Sequence, residues 1–210
     1  KLTDHGLHPK QGIDAALAFA FGHVILREFH LDNPSEYFTD YCRQYSDMPM
    51  LVRLDPRDDG SYATSRYLRA SDLDGALGEA NNPEWKTLAF DENSGGLVVP
   101  HGSVGFRWGE KGRWNIEERD SQGRDTRLVL SLKDAHDGFV NVCFPYFGGV
   151  EHEGWTSSPR EDILKRHIPT RKIMQADGSE VLVASVYDLL LAQYGLDRGF
   201  GGEHVAGSFD

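Results

Sequence analysis

Cysteine is nearly absent from the sequence: Cys42 and Cys143 lie far apart, with no C-x-x-C pair and no Cys/His spacing around either. That excludes a zinc or iron–sulfur motif within the chain and leaves two thiols read as free and buried. Basic residues are also scarce. Lys and Arg number 22 against 33 Asp and Glu, for a net charge of -11 and a pI near 5.2. Nucleic acid is excluded as a partner, because phosphate binding relies on clustered Lys and Arg. Long hydrophobic runs are missing as well. The longest, Ala15 to Leu26, is broken by Gly22 and His23 and falls short of the roughly 18 apolar residues that cross a bilayer. Residues 1–21 lack the basic start and small-residue cleavage site of a signal peptide, so the segment is expected to be soluble. Neither H-E-x-x-H nor G-x-S-x-G occurs, and Gly199, Gly201 and Gly202 do not complete G-x-G-x-x-G because position 204 is His. No tandem repeat is evident.

What is present suits a core of real size: 210 residues, 39% of them hydrophobic. The chain opens on Lys1 in a polar turn and ends on Ser208-Phe209-Asp210 without a cap or tail signal, so an incomplete part of a larger multidomain subunit is expected. Its pattern is that of an α/β fold with a β-rich hairpin insertion, in three zones.

Residues 1–60 read as part of an α/β domain. His8-Pro9-Lys10-Gln11-Gly12-Ile13-Asp14 joins a Pro/Gly turn to an apolar helix, expected to be a buried core helix. Asn33 before Pro34 reads as the cap of a second helix, in which Tyr37, Phe38, Tyr41, Cys42 and Tyr45 form one stripe read as core packing. Pro49 to Leu54 is a short buried strand ended by Asp55-Pro56-Arg57-Asp58-Asp59-Gly60.

Residues 61–160 read as the β-rich insertion, without a long helix. Three hairpins are expected, around Asn93-Ser94-Gly95-Gly96, around Gly109-Glu110-Lys111-Gly112, and around Lys133 to Gly138 between strands 127–132 and 139–144. Trp, Arg and Glu alternate in this zone, and with the surplus of negative charge they read as solvated hairpin faces rather than an aromatic binding platform. Residues 161–210 return to α/β structure. Asp177-Gly178 predicts a hairpin, and Ser185 to Tyr194 predicts a helix ended by Gly195.

Asp14 is the first candidate for chemistry. The first N–H groups of a helix lack internal partners and carry partial positive charge, so that end suits an anionic or multiply polar ligand, while an ordinary helix cap is the plain alternative. Histidines are the second. His5-x-x-His8 lacks a helix to fix it as a metal site, and His23 and His30 share a helix face where a half-buried histidine bonded to backbone is expected. The carboxylates offer no acid–base pair that sequence separation alone can identify.

Several runs carry a resemblance: Pro9-Lys10-Gln11-Gly12-Ile13-Asp14-Ala15-Ala16, Leu26-Arg27-Glu28-Phe29-His30-Leu31-Asp32-Asn33-Pro34, Asp47-Met48-Pro49-Met50-Leu51-Val52, Asn82-Pro83-Glu84-Trp85-Lys86-Thr87, Phe144-Pro145-Tyr146-Phe147-Gly148-Gly149 and Tyr194-Gly195-Leu196-Asp197-Arg198-Gly199. In this order they resemble an internal segment of the alpha subunit of respiratory nitrate reductases, in the bis-MGD (DMSO reductase) family of molybdopterin oxidoreductases. The resemblance implies that the parent reduces nitrate to nitrite at a Mo-bis(molybdopterin guanine dinucleotide) centre, this segment lining the cofactor cleft. A related enzyme acting on chlorate, perchlorate or selenate is the first alternative, and a non-catalytic β-rich binding module with Asp14 as a plain cap is the second.

By the same resemblance, Asp14 accepts hydrogen bonds from the edge of one guanine, with Gly12, Gln11 and Pro9 as the surrounding cofactor-binding residues. Ile13 stands where that family has Thr, which puts a hydroxyl contact there in doubt. The molybdenum ligand and the ligands of a 4Fe-4S cluster are implied to lie upstream, so no catalytic or metal residue falls in the chain, and the isolated segment is expected to be inactive. An iron–sulfur beta subunit and a haem-containing membrane gamma subunit are the implied partners. Membrane association would come through them, on the cytoplasmic face as in most bacteria.

Overall fold

In the computed structural model, the residues described are 11–12, 14–104, 114–145 and 163–196. Helix α1 (Asp14–Leu26) runs into a π-helical turn (Arg27–Asp32) and is followed by α2 (Glu36–Tyr45). Strands β1 (Leu51–Pro56) and β2 (Tyr62–Tyr67) come next, then three short 3-10 turns at Ala70–Asp72, Asp74–Gly78 and Pro83–Trp85. Strands β3 (Ala89–Phe90), β4 (Leu97–Val98), β5 (Pro100–Val104), β6 (Trp114–Asp120), β7 (Gly138–Pro145), β8 (Ile163–Met174) and β9 (Glu180–Ser185) lead to α3 (Val186–Gln193).

Five strands close a barrel in the order β1, β2, β7, β8, β9. All its ladders are antiparallel except β2 with β7, where Tyr62 faces Val142 and Ala63 faces Cys143 in parallel. The barrel thus takes strands from each of the three zones of the sequence. Successive side chains on a strand point to opposite faces. Val52 and Leu54, Val142 and Phe144, Leu164 and Ile168, and Ala184 form one buried cluster with Leu189 and Ala192 of α3, drawn from strands all round the barrel and so filling its interior. Their neighbours Leu51, Ile173, Val181 and Val183 point outward and bury a second cluster under Leu68, Ala70, Leu73, Leu88, Phe90, Val99 and Leu132. Both faces of β1 are therefore dry, which is why its first residues read as one apolar run.

Several expectations hold. The turn at residues 93–96 joins β3 to β4, and the Asp177-Gly178 turn joins β8 to β9 with Gly178 at φ 82°. Helix α3 begins at the Ser185 cap and ends at Gly195, whose φ of 80° lets Leu196 N–H reach the Leu191 carbonyl at 2.8 Å. The turn at residues 109–112 lies outside the described residues, although β5 and β6 on either side are paired antiparallel.

Others are corrected. Residues 127–132 form no hairpin with β7, which pairs instead with β8 and β2. Their backbone turns to other partners: Arg127 carbonyl to Glu92 N–H, Val129 N–H to Phe90 carbonyl, and Leu132 N–H to Asp188. The cap of α2 is Ser35, whose hydroxyl accepts from Phe38 N–H, because Asn33 lies two residues too far out, before Pro34. The stripe on α2 is not core: only Cys42 is buried, while Tyr37, Tyr41 and Tyr45 are exposed. Nor is α1 a buried helix, since Leu26 is its one buried residue.

Candidate functional site

Gln11 and Gly12 form an exposed turn that leads into α1, and Asp14 is the first residue of that helix. Gly12 has φ 87°, a backbone conformation that favours glycine, and a Cβ there would meet no atom within 4 Å. Backbone shape, not crowding, therefore explains the glycine. The Asp14 side chain is exposed, and among the described residues none forms a hydrogen bond or ion pair with it. It sits at the positive end of the helix dipole, where a carboxylate is favoured. Pro9, the fourth residue of the expected set, lies outside the described residues.

Helix α1 is seated on the end of α3. The rings of Phe19 and Tyr194 stack with centroids 4.5 Å apart and planes 13° from parallel. Gly22 leaves the space that the Tyr194 ring fills. His23 donates from Nδ1 to the Tyr194 carbonyl at 2.7 Å, a half-buried histidine bonded to backbone as its place on the helix suggests. His30, on the same face, is buried against Phe38 and Tyr187, with Nδ1 4.0 Å from Cys42 Sγ. Burial raises the Cys42 thiol, with Arg43 pulling the other way, so this thiol stays protonated and inert. Cys143 is only half-buried, and its Sγ lies 3.1 Å from the Ser61 hydroxyl.

Other charged clusters organise loops. Lys165 binds Asp59 at 2.8 Å, and this contact, with the Ser61 hydroxyl and N–H, holds the Asp59 carboxyl well below the usual carboxylate range. Buried Asp188 accepts from Ser131 hydroxyl at 2.6 Å, Leu132 N–H at 2.8 Å and Ser185 hydroxyl at 2.8 Å. Sequence reasoning passed over Asp188, although Ser185-x-x-Asp188 ahead of an apolar run is the spacing of a helix capping box. A recess of about 10 Å3 beside it, lined by His167, Ile168, Pro169 and Leu191, has room for about one water and none for a substrate. Among the described residues, no three His, Cys, Asp or Glu side chains converge to hold a metal ion. His5, His8 and the run 151–153 lie outside the described residues.

No family model matches the chain. Two alpha chains of Escherichia coli (strain K12), those of respiratory nitrate reductases 2 and 1, are each 57% identical to it, over 98% and 100% of its length. The chain belongs to the respiratory nitrate reductase alpha-chain family. The respiratory nitrate reductase alpha chain of Bradyrhizobium sp is 44% identical over 97% of it. The chain spans only 16% to 18% of the length of these three relatives. The exposed Asp14 carboxylate, with no partner among the described residues, has two acceptor oxygens to offer a ligand that presents two donors.

Proposed function

We propose that the chain serves nitrate reduction to nitrite as part of the alpha subunit of a respiratory nitrate reductase, lining the cleft of a molybdenum bis-MGD cofactor. The 57% identity across its whole length to two alpha chains of that name carries this reading. When bound, the molybdenum centre supplies the two-electron chemistry that takes an oxygen atom from the substrate. The residues of this chain bind and orient. Asp14 accepts the two donors on a guanine edge, Gly12 and Gln11 keep the approach open, and the contacts of α1 with Tyr194 hold the helix that carries it. Pro9 stiffens the turn on the same reading. The molybdenum ligand and the ligands of the 4Fe-4S cluster are proposed to come from other parts of the subunit. An iron–sulfur beta subunit and a haem-carrying gamma subunit are the proposed partners, and association with the cytoplasmic face of the membrane comes through them. Among the described residues, no helix is long and apolar enough to cross a membrane.

The test is made in the full-length protein. Losing a charge-assisted bidentate pair costs about 2 to 3 kcal/mol, so Asp14→Ala should weaken retention of guanine nucleotide and molybdenum by about 30-fold or more. Asp14→Asn, which keeps one acceptor and places a donor against a donor, should fall between. Both contents are read per chain after gel filtration and denaturation, and unchanged values in Asp14→Ala would rule out the guanine contact.

A further inference from the structure

Helix α1 with its π-helical turn meets α3 at two points of matching spacing. His23 and His30 are seven residues apart, and so are Tyr187 and Tyr194. His23 bonds the Tyr194 carbonyl at 2.7 Å, and the rings of His30 and Tyr187 have centroids 6.2 Å apart. The earlier residue of one pair meets the later residue of the other, so the two helices run antiparallel. Between the two contacts, Leu26 is buried in one cluster with Leu191. A carbonyl only accepts, so the proton of the first contact sits on His23 Nδ1, and the oxygen it satisfies stands at the C-terminal end of α3, where helix carbonyls lack internal partners. Gly22 leaves room for the Tyr194 ring, which stacks on Phe19. All these contacts lie inside this chain, so none depends on what else packs against it.

Two contacts set a direction where one sets only a pivot. His23 and His30 are two helical turns apart, about 10 Å along the axis. Held at Leu26 and His30 alone, the helix could swing. Asp14 is twelve residues from Leu26, about 18 Å, so a tilt of about 5° moves its carboxylate by about 1.5 Å. The two bonds of a bidentate pair weaken steeply off their preferred geometry. We propose that His23 and Tyr194 are positioning residues: with the His30–Tyr187 contact as the second point, they fix the direction of α1 and so place Asp14 against the guanine of the cofactor. This step rests on the guanine contact of Asp14, and it adds the residues through which α3, far along the chain, reaches that contact.

The test uses the full-length protein and reads guanine nucleotide per chain after gel filtration and denaturation, with the thermal midpoint as the control for folding. Tyr194→Leu removes the ring and His23→Leu the donor, and each should weaken retention by about 10-fold or more, since a misplacement of about 1 Å is costly. Tyr194→Phe keeps the ring and His23→Asn keeps a donor near the place of Nδ1, so both should restore retention to near the parent level. In the Asp14→Ala background the two Leu variants should add no further loss, because a positioning residue acts only through the carboxylate. Normal retention in both Leu variants beside a loss in Asp14→Ala would overturn the inference. An equal further loss in the Asp14→Ala background would do the same, as the mark of a merely structural role. If Tyr194→Leu does not fold, His23→Leu and its Asn rescue decide alone. Unchanged retention in Asp14→Ala would remove the guanine contact and this inference with it, a result distinct from the other two.

Discussion

At the scale of single residues, Asp188 is a buried carboxylate that joins two separate segments of the chain. It is 3% exposed, and it ties the cap of α3 to the segment at Ser131 and Leu132. Removing it leaves buried donors unmet, so Asp188→Ala should destabilise the chain by about 3 kcal/mol, and a loss under about 1 kcal/mol in urea unfolding would contradict that account. Asp188 was legible through its spacing from Ser185. The candidate site was legible only in part. Periodicity and the Pro/Gly turn placed Asp14 at a helix start, and the structure agrees. What the residue faces is a matter of packing between distant parts of a chain, on which local pattern is silent.

At the scale of elements, α1 is held by Leu26, buried among Cys42, Leu130 and Leu191, and by the zone where Gly22 gives way to the Tyr194 ring. A methyl group at position 22 would overlap that ring, so Gly22→Ala should cost about 1 to 3 kcal/mol despite its gain in helix propensity. In the Tyr194→Ala background the overlap is gone and the same change should be neutral or stabilising. Additive costs in that double-mutant cycle would refute the seat. Elements with strong local signals were the legible ones: Asp177-Gly178 for the β8–β9 hairpin, Gly195 for the end of α3, the glycines of residues 93–96 for β3 and β4. Residues 127–132 misled because Leu128, Leu130 and Leu132 recur at every second position as in a strand, while their backbone groups bond to Phe90, Asp91, Glu92, Arg43 and Asp188 and not to β7. The stripes of α1 and α2 misled differently. Periodicity reports that a face is apolar, not that its cover lies nearby.

At the scale of the whole molecule, the response to pH follows from carboxylates held by loops. Burial pushes the Asp91 carboxyl up, but the Ser94 hydroxyl and the N–H groups of Arg127, Ser94 and Asn93 outweigh it, and its net shift is down. Asp72 behaves likewise: burial raises it, and the Arg66 guanidinium with the Arg69 N–H brings it lower. A depressed carboxyl stabilises the fold fully above its unfolded pKa of about 3.9, and that stability is lost as pH falls through the lower folded value. The acid limb of the thermal midpoint should therefore steepen below about pH 4 and flatten in Asp91→Asn, and an identical limb in that variant would count against it. On the alkaline side burial, with the Asp47 carboxylate, raises Tyr67 to about 12, so its contribution holds up to the unfolded value of about 10 and disappears as pH climbs to the folded one.

The barrel was the least legible feature at this scale, because its closure pairs strands far apart in the chain. Leu51 faces Ser185, and Tyr62 faces Val142. During synthesis, then, β1 emerges from the ribosome well before either β7 or β9 exists to cover its neighbours. Until Glu180 to Ser185 has left the exit tunnel, the growing polypeptide holds an open strand edge of Leu51, Val52 and Leu54, the kind of surface that nascent-chain chaperones occupy. Order of emergence therefore matters at this stretch, since the barrel cannot be completed from its first half alone.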